Sequence, residues 1–179
     1  LQDNLEQSGT VGISDVDTRA LVRHIRMNGA MNCILSTEEF EVDKLKQKLA
    51  EVPSMEGLAL SGEVSVNEAY DFNEIKDGHR IALLDLGLKK SIATCLADRG
   101  CDIRVFPWDS NAEDLLAWNP DGIMLSNGPG DPSAMPNVIS EVAKLVDSGL
   151  PVFGICLGHQ LLSLSQGLKT EKMHNGHRG

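Results

Sequence analysis

The chain has 179 residues, 41% hydrophobic and 23% charged, the make-up of a soluble globular protein with core enough for one large domain or one domain and a smaller partner. A formal charge of −10 argues against a nucleic-acid or anionic-membrane surface, and no apolar run approaches the ~20 residues that span a bilayer. The four cysteines (Cys33, Cys95, Cys101, Cys156) form no Cys-x-x-Cys pair, which suits reduced thiols in a cytoplasmic protein better than a disulfide frame or a zinc site.

The chain begins at Leu1 rather than methionine and reads as a piece of something longer; a targeting segment upstream is neither seen nor excluded. Residues 1–72 form one section. Ser14-Asp15-Val16-Asp17 offers caps for a helix running to about Met27 and stopped by Asn28-Gly29. Leu21 and Ile25 give it an apolar edge, while Arg19, Arg23, His24 and Arg26 make it locally basic, a candidate docking surface on so acidic a chain. The aspartates read as capping and ion-pairing groups rather than metal ligands. Ala30 to Leu35 is a plausible strand, and Val42, Leu45, Leu49 and Val52 mark a second helix ended by Pro53. Ser61 to Tyr70 is ambiguous, with Val64 and Val66 alternating as in a strand.

Residues 73–79 are polar, contain a Gly turn and are expected to be a linker. Residues 80–179 alternate strand and helix. Strands are expected at Ile81 to Leu86, Cys101 to Phe106, Gly122 to Leu125 and Val152 to Ile155, and a last one near Leu168 to Met173. Helices are expected from about Lys89 to Asp98, Ala112 to Trp118, Val138 to Val146, and from Gly158 to about Leu164. Near-continuous apolar strands between helices imply an α/β fold, a mostly parallel sheet covered on both faces, preceded by part of a smaller α+β domain. Ligands bind such sheets beyond the carboxyl ends of the strands.

At one such end lies Gly154-Ile-Cys156-Leu-Gly158, the Gly-x-Nuc-x-Gly spacing of a nucleophile elbow with cysteine as the nucleophile. A sharp strand-to-helix turn would hold the sulfur out of the sheet at a helix N-terminus, and large neighbours would collide there, so glycines flank it. The Leu157 N–H would point at a developing oxyanion. A buried structural cysteine in a glycine-containing turn is the competing reading. Ser126-Asn-Gly-Pro-Gly-Asp-Pro132 falls at the same edge; alone it reads as a rigid turn, and beside the elbow as a second wall of the pocket. Leu86-Gly-Leu-Lys-Lys90 lacks a phosphate-loop pattern and reads as a strand-end turn.

Gly154-Ile-Cys-Leu-Gly-His-Gln160 together with Ser126 to Pro132 resembles the class I glutamine amidotransferases. Leu84 to Lys90, Asn119 to Pro132, Lys172-Met-His-Asn-Gly-His-Arg-Gly179 and Ile13 to Arg23 narrow the resemblance to the small-subunit family of carbamoyl-phosphate synthetase, over essentially the whole chain. The resemblance implies the flavodoxin-like amidotransferase fold. It further implies that Cys156 attacks the side-chain amide of glutamine, forms a γ-glutamyl thioester and releases ammonia. Leu157 and Gly128 would form the oxyanion hole, and Gly128, Gly130, Leu157 and Gln160 would hold glutamine. It implies no cofactor or metal in this chain; ATP and magnesium belong to a large-subunit partner that makes carbamoyl phosphate for arginine and pyrimidine synthesis. The family's catalytic histidine and its orienting acid are expected beyond Gly179, which would leave these residues alone a damaged enzyme. His159 is part of the elbow motif rather than the base. His174 and His177 are expected in a loop at the pocket edge, where Asn175 replaces an expected aromatic residue. Two alternatives stay open: a non-catalytic docking or regulatory module on this fold, and another cysteine hydrolase or amidotransferase.

Overall fold

The computed structural model describes residues 1–176. The chain divides into two compact units, Leu1–Ser54 with the stretch from Glu171 on, and Met55–Thr170.

The larger unit is built on strand β2 (His79–Asp85), whose residues alternate between two buried faces. It pairs in parallel with β3 (Cys101–Pro107) on one side and β4 (Gly122–Leu125) on the other. β5 (Val152–Gly154) adds in parallel to β4, and β1 (Tyr70–Asn73) lies antiparallel to β3, giving the order β1-β3-β2-β4-β5. Ala82, Leu84, Phe106, Ile123 and Leu125 point to one face. Helices α5 (Ala112–Ala117), α6 (Pro136–Asp147) and α7 (Leu157–Ser165) cover it with Leu115, Val138, Val142, Leu145, Leu157 and Leu161. Leu83, Ile103, Val105 and Met124 point the other way, against Ile92, Ala93 and Leu96 of α4 (Lys90–Ala97). Each leucine so buried contributes about 1.5–3 kcal/mol of transfer free energy. The expected mostly parallel sheet with helices on both faces is therefore observed. Local signals match it: Pro136 opens α6, and the Asn111 side chain caps α5 by accepting from the Asp114 N–H at 2.8 Å.

The smaller unit carries α1 (Gln2–Gln7), α2 (Thr18–Asn28) and α3 (Val42–Ala50). Asp17 caps α2, accepting from the Ala20 N–H at 2.9 Å, and Gly29 ends it at φ 87°. Asp15 accepts from the Ser14 hydroxyl, so both aspartates serve local turns.

Several expectations are corrected. Ala30 to Leu35 is not a strand: no second strand lies beside it, and the Ala30 N–H is spent on the His174 carbonyl at 3.0 Å. Leu168 to Met173 is not a strand either. Gly167 (φ 78°) turns the chain out of α7, the Leu168 N–H returns to the Ser163 carbonyl, and Leu168 and Met173 stay exposed. The ambiguous stretch from Ser61 begins with a 3-10 turn (Ser61–Glu63), and the strand starts only at Tyr70. The units divide at Ser54/Met55 rather than within 73–79. That segment joins β1 to β2 inside one sheet, with Asn73 bonded to the Cys101 carbonyl and the Ile103 N–H. No helix among the described residues is long and apolar enough to cross a membrane.

Candidate active site

The short strand β5 ends at Gly154, and two residues later α7 begins at Leu157. Cys156 makes the turn with φ 53° and ψ −111°, a conformation L-residues rarely adopt and one that costs on the order of 1–3 kcal/mol. Its neighbours explain the glycines. A Cβ on Gly154 would lie 2.5 Å from the Gly158 carbonyl carbon and 2.6 Å from the His159 nitrogen. A Cβ on Gly158 would strike the Leu125 carbonyl oxygen. The Ile155 N–H donates to the Leu125 carbonyl at 3.0 Å and the Gly158 N–H to the Ser126 carbonyl at 3.1 Å, so the elbow is fastened to the end of β4. The consequence is an exposed Cys156, which excludes the buried structural cysteine.

The loop after β4 is brought to the same place. Gly128 packs against the Leu86 carbonyl, and a Cβ there would also come 2.8 Å from Leu157 Cδ2. Gly130, at φ 99°, lies against Leu58 and Leu60, where a Cβ would be 2.6 Å from the Leu58 oxygen. Asp131 receives the Gly57 N–H at 2.9 Å and caps the following 3-10 turn through the Ser133 N–H. The N–H groups of Leu157 and Gly128 donate to no acceptor among the described residues. The two segments that carry these N–H groups adjoin where Gly128 meets the Leu157 side chain, one residue beyond the exposed Cys156. Gln160 lies one turn into α7, its N–H on the Cys156 carbonyl at 3.1 Å and its side chain exposed.

A supporting network was not singled out from the sequence. Buried Asp85, at the end of β2, accepts from the N–H groups of Val66 (3.0 Å), Gly87 (2.9 Å) and Leu88 (2.7 Å). Buried Ser126 accepts from the Leu86 N–H at 2.9 Å. Asn127 accepts from the Lys89 N–H at 2.8 Å and donates to the Gly87 carbonyl at 3.1 Å. The Ser126 and Asn127 bonds tie the strand-end turn 86–90 to the loop after β4 that leads into Gly128, and Asp85 ties that turn to Val66. The available signal was polar residues directly after apolar strand runs, where a side chain has backbone groups to satisfy.

His159 is exposed on α7, and Cys156 Sγ takes part in no hydrogen bond among the described residues. His174 belongs to the smaller unit, where its carbonyl holds Ala30; His177 lies outside the described residues. A separate groove of about 570 Å³ between α4 and strands β4 and β5 is lined by Ile81, Ile92, Leu96, Met124, Phe153 and Ile155. So apolar a lining offers little to a carboxamide, which directs attention back to Cys156.

The arrangement is an exposed cysteine on a strand-to-helix turn of an α/β sheet, and the comparisons give the chain a family. The family model for class-I glutamine amidotransferases matches residues 82–179, just over half the chain. The chain belongs to that family. The model for the carbamoyl-phosphate synthase small chain, CPSase domain, matches residues 1–35. Carbamoyl phosphate synthase small chains are its relatives across its whole length. That of Vibrio vulnificus (strain YJ016) is 42% identical over 195 residues, and that of Chlorobaculum tepidum is 43% identical over 181. The aligned region is 52% of the Vibrio protein and 50% of the Chlorobaculum one, so the chain spans about half the length of the curated relatives it matches.

Proposed function

We propose that this chain is the glutamine-hydrolysing part of a carbamoyl phosphate synthase. The observation that carries the reading is the exposed Cys156 at φ 53°, with Gly128 packed against the residue that follows it. The Cys156 thiolate adds to the side-chain carbonyl carbon of glutamine. The charge that develops on the carbonyl oxygen is met by the N–H groups of Leu157 and Gly128, and collapse of the tetrahedral adduct expels ammonia. Water then cleaves the γ-glutamyl thioester, releasing glutamate and restoring the thiol. Gly130 keeps the loop backbone open to the substrate, and Gln160 holds the glutamine from the first turn of α7. Proton transfer calls for a base within hydrogen-bond reach of the sulfur. On this reading it is a histidine, oriented by a glutamate, supplied from outside the 179 residues. Ammonia passes to a large-chain partner, which binds ATP and magnesium.

The test is Cys156→Ser in the full-length protein with its partner. Glutamine-dependent synthesis is expected to vanish while ammonia-dependent synthesis persists. Continued turnover of glutamine would remove Cys156 from the mechanism. A mass shift on Cys156 after treatment with a glutamine-like chloroketone separates this reading from a thiol hydrolase with another substrate.

A further inference from the structure

Residues 57–66 belong to no helix or strand apart from the 3-10 turn at Ser61–Glu63, yet they touch the carboxyl ends of three strands. In the loop after β4, the Gly57 N–H donates to Asp131 Oδ2 at 2.9 Å, and the Leu58 carbonyl accepts the Asp131 N–H at 2.8 Å. In the turn after β2, Val64 packs beside Gly87, where a Cβ would lie 3.0 Å from its Cγ2. Ser65 Oγ accepts the Trp108 N–H at 3.0 Å just past β3, and the Val66 N–H donates to buried Asp85 at 3.0 Å. A carboxylate holds each end of this strap at the sheet edge where α/β folds bind ligands.

The strap meets a need of the loop it grips. Gly128-Pro-Gly130 contains two glycines, the residue type that loses most conformational freedom on ordering. Among the described residues neither glycine N–H donates to an acceptor, so the stretch is slung between two anchors. Before it, Asn127 accepts from the Lys89 N–H and donates to the Gly87 carbonyl. After it, Asp131 is fastened to Gly57 and Leu58. Between them the strap backs Gly130, where a Cβ would come 2.6 Å from the Leu58 oxygen and 3.0 Å from the Leu60 nitrogen. Without the second anchor the two glycines are secured at one end only.

We propose that Asp131 is a positioning residue for glutamine: by clamping the strap against the loop, it holds Gly128 and Gly130 in their binding conformation before substrate arrives. This rests on the reading of the chain as a glutaminase subunit. A loop ordered in advance spares the ligand the cost of ordering it. Loosening the loop therefore weakens ground state and transition state alike, a loss that falls on KM rather than kcat. Asp131 also caps the 3-10 turn at Pro132–Ala134, its Oδ1 accepting from the Ser133 N–H at 2.9 Å and the Ser133 hydroxyl at 2.7 Å. Capping is the competing role, and the two are separable because different oxygens serve the two segments. A serine hydroxyl caps Ser133 but brings no second oxygen to Gly57.

The experiment measures glutamate release from glutamine by the full-length protein with its large chain, for wild type, Asp131→Ser and Asp131→Ala, with folding checked by circular dichroism. Both variants are expected to raise KM for glutamine about tenfold while kcat stays within about threefold. Alkylation of Cys156 by iodoacetamide should also stay within about threefold, since it needs no ordered loop. Asp131→Ser protein with the wild-type KM reduces the residue to a cap and overturns the positioning role, as does a loss carried by kcat instead of KM. Either result leaves the glutaminase reading standing. Should both variants unfold, the wild type decides. Saturating Cys156 with the glutamine-like chloroketone is expected to slow amide exchange in residues 57–61 by about threefold or more, read by mass spectrometry, and unchanged exchange overturns the proposal. Wild-type protein that the chloroketone does not label at Cys156 overturns the glutaminase reading, and the positioning role falls with it.

Discussion

Gly128→Ala is the substitution at which geometry and chemistry are most tightly tied. The added Cβ would overlap the Leu86 carbonyl oxygen and press on Leu157 Cδ2 at 2.8 Å. A carbonyl held in place by Ser126 and Asp85 on the neighbouring N–H groups cannot yield as a flexible side chain would. The loop must move instead, carrying the Gly128 N–H away from Cys156. Overpacking of this kind costs about 1–3 kcal/mol of stability. Loss of one oxyanion donor costs about 100- to 1000-fold in rate, or some 3–4 kcal/mol of transition-state stabilisation. The assay is the rate of thioester formation from glutamine in the full-length protein, by rapid quench and mass spectrometry, with iodoacetamide alkylation of Cys156 alongside. Alkylation needs no oxyanion hole and is expected to change less than about threefold. Wild-type thioester rates in a folded Gly128→Ala protein would refute the pairing of Gly128 with Leu157 as donors.

Cys156→Gly removes a side chain from a backbone conformation that only glycine adopts freely, so it is expected to stabilise the protein by about 1 kcal/mol while abolishing labelling, read as a higher Tm. Ser126→Ala strips the buried Leu86 N–H of its acceptor and is expected to cost about 1–3 kcal/mol in urea unfolding and to slow thioester formation through displacement of Gly128. The Glu141 carboxyl is held below its ordinary 4.5 by the hydrogen bond from Lys144, then by the Ala112 N–H. A depressed folded pKa contributes stability that is fully present above the unfolded value and lost as pH falls through the lower folded one. The urea midpoint of the wild type should therefore drop more steeply below pH 4.5 than that of Glu141→Gln, and equal slopes would dismiss the contribution.

The elbow could be read in one dimension because its constraint is local. Two glycines flanking a cysteine, between an apolar run and a helix start, answer a steric problem confined to five residues, and the structure shows those contacts at Gly154 and Gly158. The strands β2, β3 and β4 were legible for a similar reason: a strand buried on both faces is largely apolar, as Ile81 to Leu84 and Gly122 to Leu125 are. Ala30 to Leu35 is mostly apolar too and Leu168 to Met173 far less so, but a strand exists only with a hydrogen-bonding neighbour, and neither stretch has one among the described residues. Tyr70–Asn73 went unplaced as the converse case, an edge strand half exposed and polar.

By itself, then, the sequence determined the α/β alternation and the glycine-flanked elbow that carries Cys156, since each follows from the order of neighbouring residues. Only the tertiary structure decided that Gly128 meets Leu157, that Asp85, Ser126 and Asn127 brace that meeting, and that the boundary between units falls at Ser54. The meeting of Gly128 with Leu157 and its bracing by Ser126 and Asn127 depend on contacts between segments some 30 to 40 residues apart in the chain, made only once strands β2, β4 and β5 lie side by side and bring their carboxyl ends to one edge.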